Sequence, residues 1–275
     1  MDAPATAELP SDSRRSGALP VLRFIGWVVL LGLVVYATAI LVAVLVPEQD
    51  DYALSSALKH QRLETAEGRR VILVGGSNLA FGIDSNIIAT ETGCSPVNMG
   101  MNGYFGIRYM LREIKDDVRE GDIVVIAFEW DNFFKTVNGS GDSLLVVTKA
   151  NPKARGYLSP EQWLEVGLAI PYVARQKTLR LGREAIDNLR ALVGAPPAKD
   201  ADSLIYTIET VKGFTPLGDL TTHLGVEWPF EFEGAIVTEK VETEAIDLIG
   251  AFSREMKERG VDVVISYTPI LGSEY

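Results

Sequence analysis

Ser77 follows two glycines at the end of an apolar run, in the stretch Arg70 to Asp84, RVILVGGSNLAFGID. A hydroxyl on such a sharp strand-to-helix turn stands at the carboxyl edge of a sheet, where ligands of open α/β sheets bind. Backbone N–H groups beside it point toward a developing oxyanion. Ser77 is therefore the candidate nucleophile for acyl-ester chemistry. A simpler reading makes Gly75-Gly76-Ser77 a β-to-α turn with Ser77 capping the next helix. Leu79 leaves the Gly-x-Ser-x-Gly elbow of α/β-hydrolases incomplete. Without Gly-x-Gly-x-x-Gly or Gly-Lys-Ser/Thr, dinucleotide and P-loop readings are weak.

Two further groups lie downstream. Asn98-x-Gly100-x-x-Gly103 is a Gly-rich turn after a short apolar segment, and Glu129 to Asn132 is a polar cluster that ends a second apolar run. Only two histidines are present, His60 and His223. His223 lies in the Gly-punctuated loop GFTPLGDLTTHLG, four residues after Asp219, so the two offer either an acid–base pair or ordinary loop residues. His60 lies in a polar, helix-forming stretch and reads as an ordinary exposed residue. The single cysteine, Cys94, rules out an internal disulfide and a Cys-based zinc site, and so few histidines leave no His-rich metal centre. No metal and no cofactor is expected.

The elements that must position these groups can be read from the pattern. Val71 to Val74 is uniformly apolar, as in a strand covered on both faces of a parallel sheet. Cys94 to Met99 reads as a short strand and Ile123 to Phe128 as a second central one. Between them, a helix begins near Ser85 with Asp84 or Ser85 as cap, and Ile107, Met110, Leu111 and Ile114 recur at helical spacing. Strands alternating with helices predict a parallel α/β sheet that brings Ser77, the glycines after Asn98, and Glu129 to Asn132 to one edge.

Asn138 to Asp142 reads as a loop. Ser159-Pro160-Glu161-Gln162 has the capping pattern of a helix running to about Val193, whose Arg175, Lys177, Arg180, Arg183 and Arg190 could touch an anionic membrane surface but, with Glu165, Glu184 and Asp187 interspersed, read as a solvated face. Gly194 to Asp202 is a linker. Glu239 to Arg259 is amphipathic, with Val241, Ala245, Ile246, Ile249 and Phe252 on one face, and Val261 to Tyr267 is the last strand, ended by Thr268-Pro269.

The chain has 275 residues, 47% hydrophobic and 23% charged, with a formal charge of -11. That balance suits one globular domain and disfavours nucleic acid as a partner. Residues 1–20 read as a disordered tail. Within the anchor assigned to 21–46, Phe24 to Val46 carries no charge, and its 23 residues make about 35 Å of helix, enough to cross a hydrocarbon core of about 30 Å. Arg14, Arg15 and Arg23 precede the span while Glu48, Asp50 and Asp51 follow it. The expected arrangement is a signal anchor in the cytoplasmic membrane, tail inside and domain outside. Residues 47–69 form a juxtamembrane helical segment, 70–275 the domain, and 140–235 an insertion in it.

Gly75-Gly76-Ser77 with Phe81-Gly82, then Asn98-x-Gly100-x-x-Gly103, then a strand ending in a polar cluster, resemble the first three blocks of the SGNH (GDSL-like) hydrolases. With the apolar anchor, they are similar to SGNH-like proteins of bacterial cell-surface polysaccharide assembly and acylation. The resemblance covers about residues 70 to 135 and, loosely, the final strand. It implies a three-layer α/β/α, flavodoxin-like domain after one transmembrane helix, with Ser77 as nucleophile and Gly103 as an oxyanion donor. The third-block asparagine falls at Asp131 or Asn132, of which only Asn132 can donate. The Asp-x-x-His block of the family is not found after Pro269. The chain is therefore expected either to be a fragment lacking that block, or to use His223 as base with Asp219 behind it. The implied function is a membrane-anchored esterase or O-acyltransferase on a cell-envelope polysaccharide, with an acylated glycan or acyl donor and polysaccharide-assembly proteins as partners. The alternative is a non-catalytic subunit that binds glycan or supports an export complex.

Overall fold

The computed structural model describes residues 18–48, 52–196, 208–226 and 240–267. The N-terminal tail, most of the linker expected after Gly194, and Thr268-Pro269 lie outside the described residues. Helix α1 (Ala18–Leu45) contains an apolar stretch, Leu19–Leu45, of 27 residues with mean hydropathy 2.9, long and apolar enough to cross a membrane. Helix α2 (Ser55–Thr65) follows and leads into the sheet.

Four strands, β1 (Arg70–Gly75), β2 (Ser95–Asn98), β3 (Ile123–Ala127) and β4 (Asp262–Ile265), form a parallel sheet in the order β2-β1-β3-β4. Leu73 pairs with Asn98 on one side and Val125 on the other, and Ile126 pairs with Ile265. Helices α3 (Ser77–Gly82) and α4 (Ser85–Thr92) follow β1, and α5 (Gly106–Lys115) follows β2. Then come α6 (Gly141–Ala150), α7 (Pro160–Leu192) and α8 (Thr243–Glu258), the last feeding β4. Asp84 caps α4 by accepting from Asn86 N at 2.9 Å, and Ser159 and Gln162 form the capping box of α7.

Side chains alternate across the sheet. Ile72, Val74, Val97, Val124 and Ile126 face a main core built with Ile107, Met110 and Ile114 of α5 and with α8. Val71, Leu73 and Ala127 face a smaller cluster with Leu79, Ile83 and Ile88. At the amino end of the sheet Arg70 is fully buried: its Nε donates to Asp122 Oδ1 at 3.0 Å, its Nη2 reaches Oδ2, and it also donates to the carbonyl of Asp117 at 2.8 Å. This pins β1 to the turn before β3.

Four expectations need correction. The buried stripe of α8 is Ala245, Ile249, Phe252 and Met256; Ile246 is 55% exposed and Val241 precedes the helix. The loop expected through Asp142 ends at Gly141, where α6 begins. Lys177 does not belong to a solvated face but is 4% exposed, drawn under the end of α1. His60 is 2% exposed rather than a surface residue, because α2 packs against β2 and α6.

The His60 ring stacks on Tyr157 at 5.5 Å, its Nδ1 pairs with Ser56 O at 2.8 Å, and its Nε2 stands 3.9 Å from Glu113 of α5. Next to it, buried Lys59 donates to the carbonyls of Asn98 at 2.8 Å and Gly218 at 2.5 Å, with the Phe214 ring 4.6 Å away. Burial pushes the Glu113 carboxyl up to about 8 and the Lys59 ammonium down to about 7. From pH 4.5 to about 8 the folded protein holds a proton at Glu113 that the unfolded chain has lost, so this residue contributes stability at low pH that fades as pH rises through that window. Lys59 has the opposite slope between about 7 and 10.5. A glutamine at 113 is neutral in both states. The melting temperature of Glu113→Gln minus that of the wild type should therefore climb as pH is raised from 4.5 toward 8, measured by circular dichroism on the full chain in detergent; a flat difference would mean that Glu113 stays ionised.

Candidate active site

The carboxyl ends of β1, β2 and β3 converge as the alternation of strands and helices requires. Ser77 opens α3 directly after β1. Its Oγ donates to Glu129 Oε1 at 2.8 Å, and the backbone N–H of Asn78 donates to the same oxygen at 3.1 Å. Asn78 is itself held by its side-chain amide, which donates to Ala127 O at 2.9 Å. The carboxylate of Glu129, first residue past β3 and its neighbour Phe128, thus lies against the nucleophile candidate and the backbone beside it.

Two glycines make room for that carboxylate. A Cβ on Gly76 would lie 2.3 Å from Glu129 Oε1, and one on Gly103 would lie 2.4 Å from Oε2. Neither distance is compatible with a side chain unless Glu129 withdraws. The glycine after β2 and the glycine after β1 therefore form two walls of one slot, with Glu129 between them.

Asn132 stands behind this slot rather than inside it. Its Nδ2 donates to Gly103 O at 2.7 Å and to Thr136 Oγ1 at 2.8 Å, and its Oδ1 accepts from Glu129 N at 3.1 Å. With both amide protons engaged, Asn132 positions Gly103 and Glu129 and does not offer the oxyanion contact expected of it. Gly103 contributes its carbonyl to Asn132 and its missing side chain to Glu129.

The expected pair of His223 and Asp219 does not form. Asp219 is 3% exposed, and its carboxylate accepts from Ser85 N at 2.8 Å, Ser85 Oγ at 2.6 Å and Asn98 Nδ2 at 2.8 Å. It ties the start of α4 to the end of β2. Four-residue spacing brings side chains together only on a helix, whereas here Thr215 N bonds Asp219 O and Leu220 N bonds Ala80 O, so the segment is a turn laid over α3. His223 rests on Phe81, ring centroids 5.0 Å apart, one helical turn beyond Ser77. Its Nδ1 is buried with no hydrogen-bond partner among the described residues.

The arrangement suits a hydroxyl nucleophile whose proton is received by a carboxylate. Residues 76, 77 and 103 carry a signal in sequence, and Glu129 carries one as the first of the polar residues expected at this edge; its role as the partner of Ser77 does not show, nor does that of Asn78, because a carboxylate at a strand end and an asparagine after a serine are unremarkable without the contact between them. The slot can be probed through its wall. Gly103→Ala should displace the Glu129 side chain, whose far end is the flexible partner in the clash, and leave the melting temperature within a few degrees of wild type. Reactivity of Ser77 toward a serine-directed probe should then fall as it does in Glu129→Gln; unchanged reactivity would show that the slot does not matter to Ser77.

Comparison of the chain with protein-family models, with curated proteins and with solved structures gives no match, so the chemistry of this site is carried by its geometry alone.

Proposed function

We propose that the protein is a membrane-anchored serine esterase or O-acyltransferase acting on acyl esters of a cell-envelope polysaccharide, with a flavodoxin-like SGNH-type domain outside the cytoplasmic membrane. The observation that carries this reading is the 2.8 Å hydrogen bond from Ser77 Oγ to Glu129 at the carboxyl edge of a parallel sheet. Ser77 Oγ attacks the acyl carbon as its proton passes to Glu129, and the protonated Glu129 gives that proton to the departing alkoxide, which leaves as the alcohol. Water or a sugar hydroxyl then attacks the acyl-serine, giving its proton to Glu129, which returns it to Ser77 Oγ as the acyl group leaves on the acceptor. Asn78 N–H becomes the oxyanion donor once the protonated Glu129 moves off it. The helix long and apolar enough to span a membrane, with Arg14, Arg15 and Arg23 before it and acidic residues after it, supports an anchor with its N-terminus inside.

One observation favours the non-catalytic alternative: Glu129 already holds the Asn78 N–H that an oxyanion would need, and Asn132 does not replace it. In that case the slot serves glycan binding or the support of an export complex.

A fluorophosphonate probe applied to the full chain in detergent separates the two. The esterase reading expects labelling that disappears in Ser77→Ala, falls by about 100-fold or more in Glu129→Gln, as loss of a general base does, and persists in His223→Ala. Loss in His223→Ala instead would transfer the role of base to that histidine. Folded protein that takes no label would leave the non-catalytic reading standing.

A further inference from the structure

A second concave site lies away from Ser77. A cleft of about 490 Å³ opens between α6, α7 and the segment that leaves α1, and Lys177, Arg180 and Arg183 line its α7 wall. In a chain of net charge -11 such a gathering of cations calls for a physical reason.

The internal partners do not balance it. Lys149 and Lys177 both bring their ammonium groups to the same oxygen of Glu48, at 2.6 and 2.5 Å, and share the carbonyls of Ala43 and Val46. Two cations thus meet one carboxylate. Burial lowers the Lys177 ammonium to about 8 even with Glu48 against it. Arg180 donates to Pro47 O at 2.6 Å and turns its Nε toward Glu184 at 3.3 Å. Arg183, one turn further along the same wall, has no carboxylate partner among the described residues. Among the described residues, the one other acid on the lining is Asp142.

Neutral donors share the lining: the Tyr172 phenol on α7 itself, the Ser143 hydroxyl on α6, and the amide of Asn102 in the loop before Gly103, whose oxygen is occupied by Tyr104 N at 2.8 Å. Cations and neutral donors drawn from α7, α6 and the loop at Asn102 into one lining suit a tetrahedral oxyanion, because a planar carboxylate is best met by one bidentate fork from one direction. We propose that this cleft binds a phosphate-bearing ligand, either the headgroup of an anionic lipid or a soluble phosphate ester. Asn102 and Phe105, which line the cleft, flank Gly103 in the sequence. The lipid source rests on the membrane reading above; the phosphate site itself does not.

The test uses the full chain in three settings: detergent with glycerol phosphate, phosphatidylcholine nanodiscs with glycerol phosphate, and nanodiscs containing phosphatidylglycerol. The readout is the melting temperature against matched sodium chloride. Glycerol phosphate should raise it in detergent if the ligand is soluble, and phosphatidylglycerol alone should raise it if the source is lipid. Arg183→Ala, which leaves the Arg180 contact to Pro47 in place, should weaken the apparent affinity about tenfold, as does loss of a hydrogen bond to a charged group. Ser143→Ala should weaken it to a smaller extent with the unliganded melting temperature unchanged. A response in detergent but not in nanodiscs would support the phosphate site and count against a membrane-level location. No response in any setting, a response reproduced by sodium chloride, or an equal response in Arg183→Ala would overturn the proposal.

Discussion

Two side chains that are absent, at positions 76 and 103, decide what can happen at the carboxyl edge of the sheet. Each leaves a space of about one carbon atom, and the Glu129 carboxylate fills both. Everything chemical about the edge follows from that occupancy: the direction of the Ser77 hydroxyl, the engagement of the Asn78 amide, and the role of Asn132 as a brace. A methyl group at either position would displace the acid from the slot, and at 76 it would also press on the Gly103 backbone.

The rest of the molecule holds these two glycines at the right separation. At the amino end of the strands the Arg70–Asp122 pair fixes β1 against the turn before β3, in a place too dry to tolerate an unpaired charge. At the carboxyl end Asp219 gathers Ser85 and Asn98, and Lys59 ties Asn98 to Gly218 from beneath. These are polar contacts among groups from four separate stretches of chain. Their buried members are satisfied by one another, which lets polar residues serve where a small sheet of four strands offers little apolar area.

How much of this could be read from the residues depends on the range of the interaction. β1 and β3 announce themselves as apolar runs, Asp84 and Ser159 as caps, and Ser77 as the residue after two glycines, because each signal is contained in a few neighbours. Glu129 as the partner of Ser77 was not legible, since the pair is separated by 52 positions. The burial of α2 was hidden for the same reason: SSALKHQRLET is a polar sequence, and most of the groups that make the interior hospitable to Lys59 and His60, among them Asn98, Glu113, Tyr157 and Gly218, are distant in the chain. Asp219 and His223 misled in the opposite sense. Their closeness in sequence suggested partnership, while the turn between them sends one into the core and the other onto Phe81.

The end of α1 carries a mechanical consequence. Lys149, Lys177 and Arg180 grip the last carbonyls of the helix and the residues just beyond it, and the Tyr36 hydroxyl, at 2.8 Å, grips Gly167 on α7. The long helix is therefore joined to the domain along its side, as a handle is to a blade, and not by a slack tether. If that helix spans a bilayer, the serine has no wandering radius of its own: its height above the lipid and the direction it faces are set by the tilt of a single helix, and only esters presented at that height come within its reach.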